Sequence, residues 1–108
     1  MDYPITKFEV QQIIDELIDN VEEPRVLSGH LFEYSVYKKW AGKELLRFIF
    51  DELDCMDVMQ SGNVYAAIKM FRNRVSEYAS HSSRARDVFT PAIDMANNVL
   101  DVFNSKLH

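Results

Sequence analysis

The sequence is poor in cysteine, glycine and proline, and each shortage argues against a class of fold. Its 108 residues include one cysteine, three glycines and three prolines. A single cysteine cannot form a disulfide within the chain, so an internally disulfide-stapled fold is excluded. A sheet of many strands needs a tight turn about every 8–12 residues, and so few turn-forming residues disfavour it. The composition instead favours a few long helices joined by short loops.

Long apolar runs and an excess of basic residues are also lacking. No segment approaches the ~20 consecutive apolar residues that a membrane-spanning helix requires. The first ten residues, MDYPITKFEV, lack the cationic and apolar blocks of an export signal. The net charge of −5 disfavours generic binding to nucleic acid, which depends on neutralising phosphates. We therefore expect one cytoplasmic domain over residues 1–108, a length with no room for two cores.

The spacing of apolar residues predicts four main helices and therefore an all-α antiparallel helical bundle. Thr6 and Glu9 have the spacing of a capping box, in which each side chain bonds the other residue's backbone amide. Thr90 and Pro91 predict the start of the last helix, because threonine is a good cap and proline is tolerated at the first helical position. The predicted helices span about residues 7–20, 28–56, 64–80 and 91–105.

The second segment is central because it concentrates aromatic side chains. Residues 27–56 hold six of the thirteen aromatic residues, including Trp40, the single tryptophan. Projected on a helix, the segment has a leucine-rich face and a second apolar face that carries Phe32, Val36 and Trp40. Gly42 has two interpretations. The favoured one is a kink or a split into two helices, and the other is a close helix contact within one helix.

A helix with two apolar faces is either enclosed on both sides or exposes a surface to a partner. Tyrosine and tryptophan are residue types that anchor protein interfaces. The competing interpretation is a wholly internal core with tyrosine hydroxyls at its rim. The sequence thus predicts a small acidic protein that acts by protein–protein interaction, in a regulatory, accessory or inhibitor role or as a homodimer. The candidate partner-binding residues are Phe32, Val36, Tyr37 and Trp40.

The basic region 69–86 supports an alternative function, a regulator associated with nucleic acid. Residues 64–86 contain five basic residues and one acidic residue. A turn near residues 80–90 would place part of this charge at a helix start, as in helix-turn-helix readers. The competing interpretation is that these residues balance the acidic first helix. The candidate residues are Lys69, Arg72, Arg74, Arg84 and Arg86.

The sequence does not predict a catalytic constellation, a metal site or a cofactor. Cys55 has no histidine close to it in the sequence. Glu77 and His81 lie one helical turn apart, as do His30 and Glu33, but the Glu-x-x-His order of di-iron bundles is absent. Three separated glycines cannot build a phosphate-binding loop. We therefore do not expect an enzyme.

Overall fold

Four helices pack against one another, which confirms the all-α bundle. The computed structural model describes the backbone of residues 2–22 and 29–107 and the side chains of residues 2–22 and 33–105. Two strands of three residues accompany the helices and form an antiparallel pair. In chain order the elements are β1 (Pro4–Thr6), α1 (Lys7–Asp19), α2 (Gly29–Glu52), β2 (Val58–Gln60), α3 (Ser61–Ala79) and α4 (Ser83–Leu107).

α3 and α4 form an antiparallel hairpin with the most extensive helix contact in the fold. Far from the connecting loop, Arg72 donates a hydrogen bond of 3.2 Å to the side-chain oxygen of Asn97. Near the loop, the rings of Tyr78 and Phe89 lie 5.7 Å apart. Later residues of α3 therefore contact earlier residues of α4, as expected for antiparallel helices. α2 packs against α4, and α1 packs against α2.

The core is built from apolar side chains of every helix and of both strands. The capping box at the start of α1 is present, since the Glu9 amide donates to the Thr6 hydroxyl at 3.1 Å. The buried stripe of α1 follows the predicted spacing. The largest fully buried side chains include Ile14 of α1, Leu45 and Ile49 of α2, Ile68 of α3, and Met95, Val99 and Phe103 of α4.

α2 is not split at Gly42, so the predicted split into two helices is wrong. The helix runs unbroken from Gly29 to Glu52, and Gly42 does not have a positive φ. A Cβ atom added to Gly42 would lie 2.5 Å from Cγ1 and 2.8 Å from Cδ1 of Ile18. The glycine is required because α1 packs directly on the backbone of α2. The second interpretation, a close contact within one helix, is the correct one.

α2 ends at Glu52, earlier than the predicted end at residue 56. Asp54 and Cys55 have left-handed φ values of 56° and 54°. The Cys55 amide donates to the Phe50 carbonyl at 2.7 Å, the long bond that closes a Schellman motif. The end of α2 at Glu52 was not predicted, because glycine usually occupies the left-handed position after a helix and here the residue is Asp54.

α4 begins at Ser83 and contains Pro91 in its interior, so the predicted start at Pro91 is wrong. Ser82 provides the cap, since its hydroxyl accepts a 3.0 Å hydrogen bond from the Ala85 amide. Pro91 cannot make the helical hydrogen bond to the carbonyl four residues earlier. Thr90 does not cap the helix, and its hydroxyl donates at 2.6 Å to the backbone carbonyl one turn earlier. The sequence predicts no more than a short helical turn over residues 83–89, so the continuous helix across the proline was not foreseen.

The strand pair fixes the start of α3, which is Ser61 and not residue 64 as predicted. Ile5 pairs with Met59 in the antiparallel register, and both side chains are buried. Asp2 caps α3, because its carboxylate accepts from the Gly62 amide at 2.8 Å and from the Ser61 hydroxyl at 3.1 Å. The bond from the Gly62 amide lowers the pKa of Asp2.

Gly42→Ala should destabilise the protein, although alanine favours an exposed helix over glycine by about 1 kcal/mol. The new methyl group overlaps the Ile18 side chain, and overpacking a core typically costs about 1–3 kcal/mol. Denaturant unfolding of the two proteins measures the difference.

The matched control is the same substitution in an Ile18→Ala background, which removes the atoms that the methyl group meets. There, Gly42→Ala should be neutral or stabilising. An equal loss of stability in both backgrounds would show that Ile18 is not the obstacle.

Asp54→Gly should stabilise the protein by up to about 1 kcal/mol, because glycine adopts the left-handed conformation without a steric penalty. Glu52→Gly, in the right-handed last turn of α2, should lose about 0.5–1 kcal/mol. Asp54→Asn is the control for charge. It removes the negative charge near the helix C-terminus, as Asp54→Gly does, but keeps a side chain at this position. Urea unfolding measures all three variants, and a less stable Asp54→Gly would contradict the ending described above.

Candidate partner-binding groove

An apolar groove of about 300 Å³ lies between α2 and α4 and opens to solvent. We call it the α2–α4 groove. Val36 and Trp40 are one helical turn apart on α2, with Tyr37 beside them. The facing wall is the part of α4 that precedes Pro91. The groove is lined by Val36, Tyr37, Trp40, Val88 and Phe89.

Two of the lining side chains are unusually exposed for apolar residues. The exposed fraction is 51% for Trp40 and 42% for Val36. Single exposed apolar residues are common on protein surfaces, but a cluster around one concavity indicates an interaction site. Tyr78 of α3, with an exposed fraction of 53%, extends this surface because its ring contacts Phe89.

A polar pocket of about 400 Å³ adjoins the groove and shares Tyr37 and Val88 with it. Arg84 and Arg86 line it and are exposed. Within the part of the chain that the structure describes, the one ion pair joins two residues of α2, so neither arginine has an ion-pair partner there. The remaining lining residues are Glu33, Tyr34, Asp87 and Thr90.

A hydrogen bond joins the two helices beside this pocket. The Tyr34 hydroxyl donates to the Asp94 carboxylate at 2.6 Å, linking α2 to α4. Burial, together with the hydrogen bond and the negative charge of Asp94, raises the pKa of Tyr34 to about 12. The amine of Lys38, one turn later on α2, lies 5.8 Å from the centre of the Tyr34 ring in a cation–π contact.

The structure places three of the four predicted partner-binding residues, Val36, Tyr37 and Trp40, around one groove. The side chain of Phe32 lies outside the part of the chain that is described. Sequence reasoning did not assign Val88 and Phe89 to the site. The sequence instead predicted that both side chains pack into the core from a short helical turn over residues 83–89, whereas both line the groove and Phe89 is only partly buried against the core.

Two of the five predicted nucleic-acid-binding residues line the polar pocket, and the other three do not. Arg72 bonds to α4, and the Arg74 guanidinium lies 5.2 Å from the centre of an aromatic ring of α2. Lys69 lies over an aromatic ring of its own helix, 5.4 Å from its centre. Arg84 and Arg86 instead line the polar pocket. The basic residues of α3 thus each contact another side chain, although Lys69 and Arg74 remain exposed.

Among the described residues, no group of three or more histidine, cysteine, aspartate or glutamate side chains is placed to hold a metal ion. Glu77 and His81 are both exposed on the surface. The side chain of His30 lies outside the described part. Nor does any described helix have the length and apolar character needed to cross a membrane.

No family model matches this chain. Comparisons with curated proteins and with solved structures also give no match. Its function is therefore inferred from the groove and the polar pocket beside it.

Tyr34→Phe should lower the free energy of unfolding by about 1 kcal/mol at neutral pH, because the Asp94 carboxylate loses its donor. Tyr78→Phe removes a hydroxyl from a side chain that is half exposed and should change stability little. Chemical denaturation of both variants and the wild type measures the contrast.

The same bond predicts a dependence on alkaline pH. Folding raises the pKa of Tyr34 from 10.0 to about 12, so its contribution to stability is complete below pH 10. Between pH 10 and about 12 the phenol ionises in the unfolded state but stays protonated in the folded state, so the contribution of Tyr34 to the free energy of unfolding is progressively lost. Stability should fall more steeply across this window in the wild type than in Tyr34→Phe. Equal slopes would contradict the assignment.

Proposed function

We propose that this protein works by binding another protein, which inserts apolar side chains into the α2–α4 groove. The observation that carries the proposal is the half-exposed Trp40 at the wall of an apolar concavity. Tryptophan, tyrosine and arginine contribute most to interface energies when a partner covers them. All three residue types occur here, in Trp40, Tyr37 and the adjoining arginines.

The size of the groove supports this kind of occupant. Binding clefts for small molecules range over roughly 300–1,000 Å³, so this groove lies at the lower end of that range. Its lining offers mainly hydrocarbon and aromatic surface, which suits one or two apolar side chains of a partner. The proposed role is regulatory, accessory or inhibitory, and the exposed free thiol of Cys55 suits the reducing cytoplasm.

A homodimer is one form that this protein–protein interaction could take. A stable protein interface uses roughly 20–30 residues on each side, whereas five residues line the groove. A homodimer would have to extend well beyond it, across Tyr78 and α3. Sedimentation of the purified protein separates the two cases.

Binding to nucleic acid is the alternative function, and it would depend on Arg84 and Arg86. Both lack an ion-pair partner in the described part of the chain, and Trp40, which lines the adjoining groove, offers an aromatic ring on which a base could stack. The basic residues of α3 would add little, because they contact α4 or aromatic rings of the bundle.

Trp40→Ala should weaken binding of a protein partner by roughly tenfold or more, as expected for a central interface anchor. It should lower the free energy of unfolding much less than a core truncation such as Leu45→Ala, which costs about 2–5 kcal/mol. Partners captured from cells by the wild type are expressed, purified and titrated against each variant. Thermal unfolding measures stability in parallel.

Phe8→Ala provides the matched control. Phe8 is an aromatic residue of α1 with an exposed fraction of 73%, and it does not line the groove. It should leave partner affinity unchanged. If Phe8→Ala and Trp40→Ala weakened binding equally, general surface hydrophobicity would explain the capture and the groove would have no special role.

A further inference from the structure

We infer that the partner presents an acidic amphipathic helix, whose apolar side chains enter the α2–α4 groove and whose carboxylates pair with Arg84 and Arg86. This inference rests on the proposed function and specifies the chemistry of the partner. It follows from the position of the arginines, their unpaired charge and the shape of the apolar lining.

The groove and the arginines belong to one continuous surface. Tyr37 and Val88 line both the apolar groove and the polar pocket. A segment that fills the groove and is longer than a few residues therefore passes over the pocket that holds Arg84 and Arg86. The charges on the partner beside its apolar anchors must be compatible with two guanidinium groups.

The charge of these arginines is not balanced by an ion pair within the described part of the chain. Both lie in the first turn of α4, where the helix dipole favours negative charge and disfavours cations. Glu33 and Asp87 line the same pocket but do not form ion pairs with them. Carboxylates of a partner would form ion pairs with the arginines and would interact favourably with the helix dipole. Arginine also binds a carboxylate through bidentate hydrogen bonds.

The lining favours a helix over an extended peptide. Both walls are helices, so their backbone groups are already bonded and offer no strand edge to an extended chain. Val36 and Trp40 on α2 face Val88 and Phe89 on α4. A surface of this kind accommodates side chains that recur every three or four residues on one face of an amphipathic helix.

A displayed library of random peptides, each about 15 residues or four helical turns long, tests the inference on the intact protein. Selection is made on the wild type, with depletion on Trp40→Ala. Selected peptides should have apolar residues spaced by three and four, with aspartate or glutamate enriched beside them. The double variant Arg84→Glu with Arg86→Glu should select lysine and arginine at those positions instead.

The control double variant is Lys43→Glu with Lys69→Glu, which makes the same charge change at exposed positions outside both pockets. It should keep the acidic preference. A selected peptide without tryptophan is then titrated by the emission of Trp40, the single tryptophan of the chain. Emission should shift to shorter wavelength, and Arg84→Ala with Arg86→Ala should weaken binding roughly tenfold or more.

Peptides that require Trp40 for binding but are not enriched in aspartate or glutamate would contradict the inference of an acidic partner. They would still support binding of a partner in the α2–α4 groove. Failure to select any peptide that depends on Trp40 would count against both the inference and the proposed function. Selection of extended, proline-rich sequences would overturn the helical partner. Displacement of the selected peptide by a single-stranded oligonucleotide at physiological salt would overturn the acidic peptide in favour of nucleic acid.

Discussion

The packing of α1 on the backbone of α2 at Gly42 determines which face of α2 is buried. Because Gly42 faces Ile18 and the Met95 side chain, Leu45, one turn later on the same face, points into the core. Trp40 precedes Gly42 by two positions, a rotation of about 200° around the helix, and is therefore directed outward. The exposure of the candidate anchor is thus a consequence of a close helix contact, in which an added methyl group would overlap the Ile18 side chain.

The second wall of the groove depends on the two helical turns of α4 that precede Pro91. A proline inside a helix removes one backbone hydrogen bond. The turns before it are stabilised by the Ser82 cap and by the packing of Phe89 against the ring of Tyr78. Without them, Val88 and Arg86 would lie in a loop and the groove would have one wall. The apolar groove and the polar pocket therefore share a single structural origin.

Local signals in the sequence predicted the class of fold, the capping box of α1 and the α2 half of the groove, because helical periodicity and caps act over a few residues. The strand pair was missed because it joins the chain start to residues 58–60, and no local pattern encodes that pairing. The end of α2 was missed because Asp54 adopts a conformation that usually requires glycine. The continuity of α4 through Pro91 was missed because a proline that commonly begins helices here lies within one.

Two of the predicted nucleic-acid-binding residues, Arg84 and Arg86, lie beside the candidate partner-binding groove, and charge discriminates between the two proposed functions. Affinity for nucleic acid grows with the number of phosphates neutralised, and on this surface Arg84 and Arg86 are the basic residues that line the pocket. Two cations on a chain of net charge −5 provide a small electrostatic gain for a polyanion, which the rest of the chain repels. A short acidic helix needs only two carboxylates at this place and obtains the rest of its affinity from the apolar groove. The combination of two arginines without ion pairs in the described part, an overall acidic chain and an exposed tryptophan therefore favours a protein partner.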